Sequence, residues 1–167
     1  ITFDLVLFGA FTRLTDSGLG CPDWPGCYGH ASPVGAQSVI AFEQSQMPDG
    51  PVTHTKAWIE MVHRYMAMAV GGLILTLAAF AWVRRWRSDA THGVLWPTIT
   101  LLWVCVQGAF GALTVTMKLF PLIVTLHLMG GLVLLALLTL QVQRQGLASQ
   151  RSASVVLRPL LYVATLL

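Results

Sequence analysis

The chain has 167 residues, of which 55% are hydrophobic and only 10% are charged. Soluble domains carry about 25% charged residues, and a globule this small leaves much of its surface in water. The composition therefore excludes an ordinary soluble protein and indicates that lipid surrounds much of the chain. The net charge of +3 does not point to nucleic acid as a partner, because no basic run is interleaved with aromatic residues.

Three uncharged apolar segments are long enough for membrane-spanning helices, which need about 20 residues. They cover residues 65–83, 94–117 and 119–143, and Pro121 marks the expected start of the last helix. A shorter apolar run, Leu5–Thr12, predicts one more helix near the beginning of the chain. We therefore predict an all-α fold, a polytopic membrane four-helix bundle, with helices at about residues 1–14, 57–83, 94–117 and 121–143 and a long outer loop at 15–56.

The two ends of the chain carry incomplete apolar runs. Residues 1–143 are predicted to form the bundle, residues 144–158 a cytoplasmic linker, and residues 159–167 the start of a fifth helix. Both ends resemble helices that are cut by the chain boundary. We therefore expect a protein that continues in both directions.

The distribution of basic residues predicts the orientation in the membrane. Three arginines follow the second predicted helix and three follow the fourth, whereas the turn between the third and fourth helices has only Lys118. Short loops rich in Lys and Arg face the cytoplasm. Loops 84–93 and 144–158 are therefore predicted to be cytoplasmic, and loop 15–56 is predicted to face the outside. No cleavable signal sequence is recognised, so the first span is expected to direct its own insertion.

Cys21 and Cys27 flank a five-residue segment with two prolines, which can turn back to bring the sulfurs together. The predicted topology places them on the oxidising side, where disulfides persist. A disulfide across so short a loop contributes about 2 kcal/mol in the chain-entropy model. Two roles stay open: a bridge that holds the loop over the bundle, and a redox-active pair. A zinc site is not expected, because only His30 is near and four ligands are needed.

His63 and His127 fall inside predicted membrane spans. With helix starts near Trp58 and Pro121, they lie about 7.5 Å and 9 Å below the outer helix ends, at 1.5 Å per residue. Their helices run in the same direction and are diagonal partners in an up-down bundle. Such a pair can hold a haem iron between two axial nitrogens. The alternative is a pair of histidines that hydrogen-bond between helices.

Glu60 lies about one turn before His63, on the same helical face. Its carboxylate either neutralises Arg64 or Lys56, or acts on a ligand that His63 holds. Arg64 lies at the outer rim and is a candidate partner for haem propionates, through charge-assisted hydrogen bonds.

Gly130 and Gly131 follow His127 by about one turn. The missing side chains either let a macrocycle approach the backbone or allow close packing between membrane helices, which is common.

Four segments, in order along the chain, resemble heme A synthases. Residues 12–29, TRLTDSGLGCPDWPGCYG, resemble the end of the first helix and the outer loop of that family. Residues 60–64, EMVHR, resemble its Glu-x-x-His-Arg motif, and residues 125–127, TLH, its fourth-helix ligand region. Residues 107–115, QGAFGALTV, are similar to its third-helix signature. The resemblance is collinear and extends from about Phe8 to Leu140.

The resemblance implies an enzyme that oxidises the C8 methyl of heme O to the formyl group of heme A, for terminal oxidase biogenesis. The reaction comprises two successive hydroxylations followed by loss of water. The family fold implied is eight helices in two pseudo-symmetric halves. This chain would be the N-terminal half, which binds the substrate heme O, and the second half would hold a haem b.

The same resemblance implies roles for particular residues and partners. Glu60 would be the catalytic carboxylate, and His63 and His127 the ligands of the haem iron. Cys21 and Cys27 would form the outer-loop disulfide. The implied partners are membrane lipid, heme O, heme O synthase and an electron acceptor that the sequence does not identify.

Two departures from the family pattern, Asp4 in the first helix and the absence of the second four-helix half, accompany this interpretation, together with three alternatives. Asp4 stands where the family usually has an apolar first helix. Compact four-helix relatives that dimerise exist, so a homo-oligomer is an alternative architecture. The alternative functions are a non-catalytic bis-His b-type haem-binding protein or haem carrier, and a quinone-linked thiol oxidase. The oxidase normally needs a second exchanging pair of cysteines.

Overall fold

The computed structural model describes residues 1–87, 93–149 and 162–163. Three helices in this part of the chain are long and apolar enough to cross a membrane. This finding confirms the predicted all-α, multi-pass membrane fold. The helices with their bounds are α1 (Thr2–Leu14), α2 (Gln37–Gln46), α3 (His54–Arg87), α4 (Leu95–Thr116) and α5 (Pro121–Ser149).

Four of the helices form a ring. α1 and α4 each pack against both α3 and α5, while the short α2 packs against α3. Within the described residues, the backbones of α3 and α5 are not in contact. The two helices therefore occupy one diagonal of the bundle. The helices that carry His63 and His127 are therefore diagonal partners, as predicted.

The connections alternate between the two ends of the bundle. Gly18 of the outer loop lies against Leu119 in the turn between α4 and α5. At the other end, the indole Nε1 of Trp82 donates a hydrogen bond to Thr98 Oγ1 at 3.0 Å, near the α3–α4 connection. The long loop and the α4–α5 turn thus share one end, which is the topology of an up-down bundle.

Three of the predicted helix ends need correction. α3 begins at His54 rather than 57, because Thr53 Oγ1 accepts the Lys56 N–H at 3.2 Å and caps the first turn. α3 continues to Arg87 and α5 to Ser149, so residues 84–87 and 144–149 are helical rather than loop or linker. Charged residues end an apolar span, but Arg, Gln, Leu and Ala are good helix formers.

Residues 37–46 were predicted to be loop and instead form α2. The helix is held by Ile40, which is fully buried against the Cys21–Cys27 bridge and the start of α3. Most of its other side chains are exposed, so its apolar pattern is too short to stand out in the sequence. Residues 150–158 of the predicted linker, and all but residues 162–163 of the predicted fifth helix, lie outside the described residues.

The buried residues form two separate clusters along the bundle axis. The outer cluster joins the loop to the start of α3 and ends at Met61. The inner cluster begins at Val70 on α3 and pairs with Leu134 and Leu138 on α5. No residue of α3 between Arg64 and Val70 is buried. The buried residues of α3 are therefore interrupted over residues 65–69, between the two clusters.

Candidate functional site

The outer loop is closed by a disulfide between Cys21 and Cys27. Both residues are 0% exposed. Cys27 and His30 exchange backbone hydrogen bonds of 2.8 and 3.0 Å around a tight turn. The two central residues, Tyr28 and Gly29, have φ of 51° and 75°, as a type I′ turn requires. The loop is thus compact and buried on its inner side.

Asp23 stabilises the same turn. Its carboxylate accepts the backbone N–H groups of Tyr28 at 2.5 Å and Gly29 at 2.7 Å. Partial burial raises the pKa of Asp23, but these two hydrogen bonds and the Arg64 guanidinium outweigh burial and hold that pKa below its usual value. Asp23 therefore remains ionised at neutral pH and keeps the turn in place.

The guanidinium of Arg64 is the centre of the contact between the loop and α3. Arg64 is only 8% exposed, and its donors point at four backbone carbonyls of the loop and at one carboxylate. Nη1 donates to Asp23 O at 2.8 Å, to Pro25 O at 3.3 Å and to Gly26 O, and Nη2 donates to Cys21 O at 3.4 Å and to Glu60 Oε1 at 2.5 Å.

Glu60 is 4% exposed and is bound on both carboxylate oxygens. Oε1 pairs with Arg64, four residues later on α3, and Oε2 accepts the backbone N–H of Cys21 at 2.8 Å. The pairing with Arg64, one of the two predicted alternatives, is therefore present. Lys56, the other predicted partner, donates to Gly50 O instead.

Among the described residues, the buried polar side-chain atoms without a hydrogen-bond partner are Nδ1 of His63 and Nδ1 of His127, in rings that are themselves half-buried. A buried polar atom without a partner costs free energy, and such atoms are rare in folded proteins. The two rings lie on the diagonal helices α3 and α5. The fold thus places one of the predicted histidines on each of these helices and leaves both Nδ1 atoms unsatisfied.

Two glycines and one aromatic ring on the neighbouring helices α1 and α4 pack against the two imidazoles. Phe8 of α1 stacks on His63, with ring centroids 6.4 Å apart and planes 10° apart. A Cβ added at Gly9 would lie 2.9 Å from His63 Cε1, and one added at Gly111 would lie 3.5 Å from His127 Cε1. Gly9 was not predicted from the sequence as a residue of the site. The signal that the sequence offers for it is a glycine within an apolar helix.

Gly130 and Gly131 serve helix packing, the second of the two predicted alternatives. A side chain at Gly130 would collide with the Gln107 amide on α4, and the Gly130 carbonyl accepts the indole N–H of Trp103 at 2.9 Å. A Cβ at Gly131 would contact Val6 on α1 at 3.6 Å.

The predicted distance of His63 from the start of its helix, about 7.5 Å, needs correction. His63 follows the start of α3 by nine residues and His127 follows the start of α5 by six, or about 13.5 Å and 9 Å at the rise of an α-helix. The difference arises because α3 begins one turn earlier than predicted, under the Thr53 cap.

Removal of the disulfide is expected to destabilise the protein. The double variant Cys21→Ala, Cys27→Ala should lose about 2 kcal/mol of unfolding free energy, because closure of this short loop restricts the unfolded chain. Thermal unfolding in detergent, followed by circular dichroism, measures the loss. Cys105→Ala is the matched control, because Cys105 is exposed and unbridged. Equal midpoints for the two variants would contradict the structural role.

Gly20→Ala is expected to push the loop away from α3. A Cβ at residue 20 would lie 2.6 Å from the backbone of Lys56 and Ala57, and forcing extra atoms into a packed contact costs about 1–3 kcal/mol. Gly72→Ala, on α3, is the control because nothing lies within 4 Å of its added Cβ. A Gly20→Ala protein that unfolds at the same temperature as Gly72→Ala would disprove the close contact.

These features define a class of protein: a helical, multi-pass membrane bundle with a histidine whose buried Nδ1 lacks a hydrogen bond on each of two diagonal helices, and with a disulfide-closed loop. The family model described as COX15-CtaA, cytochrome oxidase assembly protein, matches residues 1–167, and the chain belongs to this family. The resemblance to heme A synthases noted from the motifs is thereby confirmed.

Curated relatives agree with the family. The heme A synthase of Shewanella oneidensis is 44% identical over 139 residues, which cover 83% of this chain and 41% of that protein. The heme A synthase of Exiguobacterium sibiricum is 29% identical over 97% of this chain and 51% of its own length. That of Symbiobacterium thermophilum is 31% identical over 73% of this chain and 34% of its own length. The chain thus spans about half, or less, of these relatives. No solved structure matches it significantly.

Proposed function

We propose that this chain is the heme O-binding part of a heme A synthase. The observation that carries the proposal is the pair of buried Nδ1 atoms without hydrogen-bond partners on the diagonal helices α3 and α5. Two such imidazoles on facing helices of a bundle fit the axial ligation of a haem iron. The names of the curated relatives support the same function.

Heme O would lie between α3 and α5 as the substrate. His63 and His127 would bind its iron, with the imidazoles held by Phe8 and Gly9 on one side and by Gly111 on the other. The iron porphyrin supplies the redox chemistry once it is bound. The chain supplies orientation, and the surrounding apolar helices exclude water from most of the ring.

The proposed reaction converts the C8 methyl of heme O to a formyl group. Each of two hydroxylations takes its oxygen from water and releases two electrons and two protons, and the resulting geminal diol loses water to give the aldehyde. The electrons leave to an acceptor outside this chain. Glu60, one helical turn from His63, would take a proton from the attacking water or stabilise positive charge that develops near it.

The contacts of Glu60 are compatible with this role. A carboxylate has about four acceptor positions on its two oxygens. Arg64 and the Cys21 N–H occupy two of them, so the others can accept a proton or a hydrogen bond. The terminal nitrogens of Arg64 donate to the loop and to Glu60, and a haem propionate at the outer rim is its proposed further partner.

The topology and the partners complete the proposal. We place residues 15–56 on the periplasmic side of a bacterial inner membrane and the segments 84–93 and 144–158 on the cytoplasmic side, because the arginines cluster in these two segments. Heme O synthase is the proposed supplier of the substrate. The proposed setting is an eight-helix protein whose other half holds a haem b, or a homo-oligomer of this chain.

The test is a conversion assay on the purified protein, with heme O supplied and an electron acceptor present. The haem is then extracted and separated by chromatography. The proposal predicts that heme A appears. Heme O recovered unchanged from a protein that binds it in a low-spin state would contradict the enzyme activity.

A non-catalytic b-type haem-binding protein or carrier is the second candidate. The observation in its favour is that both oxygens of Glu60 already bind the loop and Arg64, as expected if Glu60 serves packing alone. The same assay separates the two, because a carrier returns heme O unaltered. A thiol oxidase is disfavoured, because both bridged cysteines are 0% exposed and the described residues hold one disulfide.

A further inference from the structure

Arg64 joins two parts of the molecule that are distant in sequence. Its partners Cys21, Asp23, Pro25 and Gly26 all belong to the disulfide-closed loop, about 40 residues away. Its own helix turn carries Glu60 and His63. We propose that Arg64 is a positioning residue, which clamps the disulfide loop onto α3 and thereby fixes the orientation of His63.

The clamp uses properties that only arginine offers. A guanidinium presents five N–H donors in a rigid, planar fork, whereas a lysine ammonium presents three donors from a single point. Two nitrogens of Arg64 reach four carbonyls and one carboxylate in different directions. A lysine at this position would keep the ion pair with Glu60 but could serve few of the carbonyls.

The buried N–H donors of Arg64 are all satisfied only while the loop is in place, whereas its charge is paired with Glu60 on the same helix. Burial of an ion is costly unless it is paired and hydrogen-bonded. Glu60 supplies the opposite charge, and the loop carbonyls supply the other acceptors. Detachment of the loop would therefore leave unpaired donors on Arg64, so the loop and the helix turn are expected to hold each other in one arrangement.

The orientation of His63 depends on this arrangement as well as on its contacts with α1, because no hydrogen bond at Nδ1 fixes the ring. Its Nδ1 has no hydrogen-bond partner, and its close neighbours are Phe8 and Gly9 of α1. The backbone of α3 at this turn is held on its other side by the loop, through Glu60 and Arg64. A change in the contact between the loop and Arg64 is therefore expected to shift His63, which precedes Arg64 in the chain.

The first test measures the clamp without haem. In the full chain, the Cys21–Cys27 disulfide should be reduced by a water-soluble phosphine at least tenfold faster in Arg64→Lys, and faster still in Arg64→Gln. Both sulfurs are buried in the closed loop, so reduction reports its opening. Arg85→Lys and Arg85→Gln, at the far end of the same helix, are the matched controls. If the Arg64 and Arg85 variants are reduced at equal rates, the clamp is refuted.

The second test measures the orientation of His63 and rests on the proposed function. In the haem-loaded protein, Arg64→Lys should shift the electron paramagnetic resonance g values of the low-spin haem and raise the high-spin fraction. An unchanged spectrum with a loosened loop would refute the positioning role. A wild-type protein that binds no haem contradicts the proposed function and the positioning step, while the reduction rate still decides the clamp. Arg64→Lys alone suffices where Arg64→Gln does not fold.

Discussion

Replacement of either His63 or His127 with alanine is expected to abolish the six-coordinate, low-spin spectrum of the bound haem. Each substitution removes one axial nitrogen, and the iron then retains one protein ligand. Neither Nδ1 atom has a hydrogen-bond partner in the described residues, so the substitutions break no such bond at these atoms. Optical spectra of the reduced and oxidised proteins, with unfolding midpoints beside them, measure the effect.

His30→Ala is the matched control for these variants. His30 lies in the outer loop and is exposed, and its backbone rather than its ring holds the turn to Cys27. Its spectrum should equal that of the wild type. A low-spin spectrum that survives in His63→Ala or in His127→Ala would remove that residue from the ligand pair.

Glu60→Gln is expected to retain haem and to lower the rate of heme A formation by about 10²–10⁴, the range for a positioned acid–base group. Glutamine has nearly the same size, and its amide oxygen can still accept the Cys21 N–H. The substitution removes the negative charge and the ability to take a proton. Chromatography of the extracted haem, with the bound haem quantified in parallel, separates chemistry from binding.

Glu43→Gln is the control for this experiment, because Glu43 is an exposed residue of α2. It should form heme A at the wild-type rate. A Glu60→Gln protein with normal heme A formation would exclude a catalytic role for Glu60. If Glu60→Gln instead loses haem and opens the loop, Glu60 supports the structure, as in the carrier interpretation.

The spans were predictable because lipid imposes a simple rule on composition. Uncharged runs of about 20 residues must be helical in a bilayer, where every backbone polar group needs an internal partner. The helix ends were less predictable. Arg84–Arg87 leave the apolar segment yet continue α3, and α2 is held by a single buried residue, Ile40, which has no distinctive periodicity around it.

The candidate site was predictable where it depends on side chains and not where it depends on the backbone. His63 and His127 stand out because ionisable groups inside a membrane are rare. The pairing of Glu60 with Arg64 follows the four-residue spacing of a helix. The four loop carbonyls around Arg64 could not be predicted from the sequence, because every residue has a backbone carbonyl. Only the folded path of the loop directs these carbonyls towards Arg64.

The arrangement of both imidazoles around one iron is tested most directly by a structure of the haem-loaded protein in a lipid environment. We predict a single tetrapyrrole between α3 and α5, with the rings of His63 and His127 bound to the same iron from opposite faces. A tetrapyrrole bound elsewhere, or an iron to which one of the two rings does not bind, would contradict the proposed site.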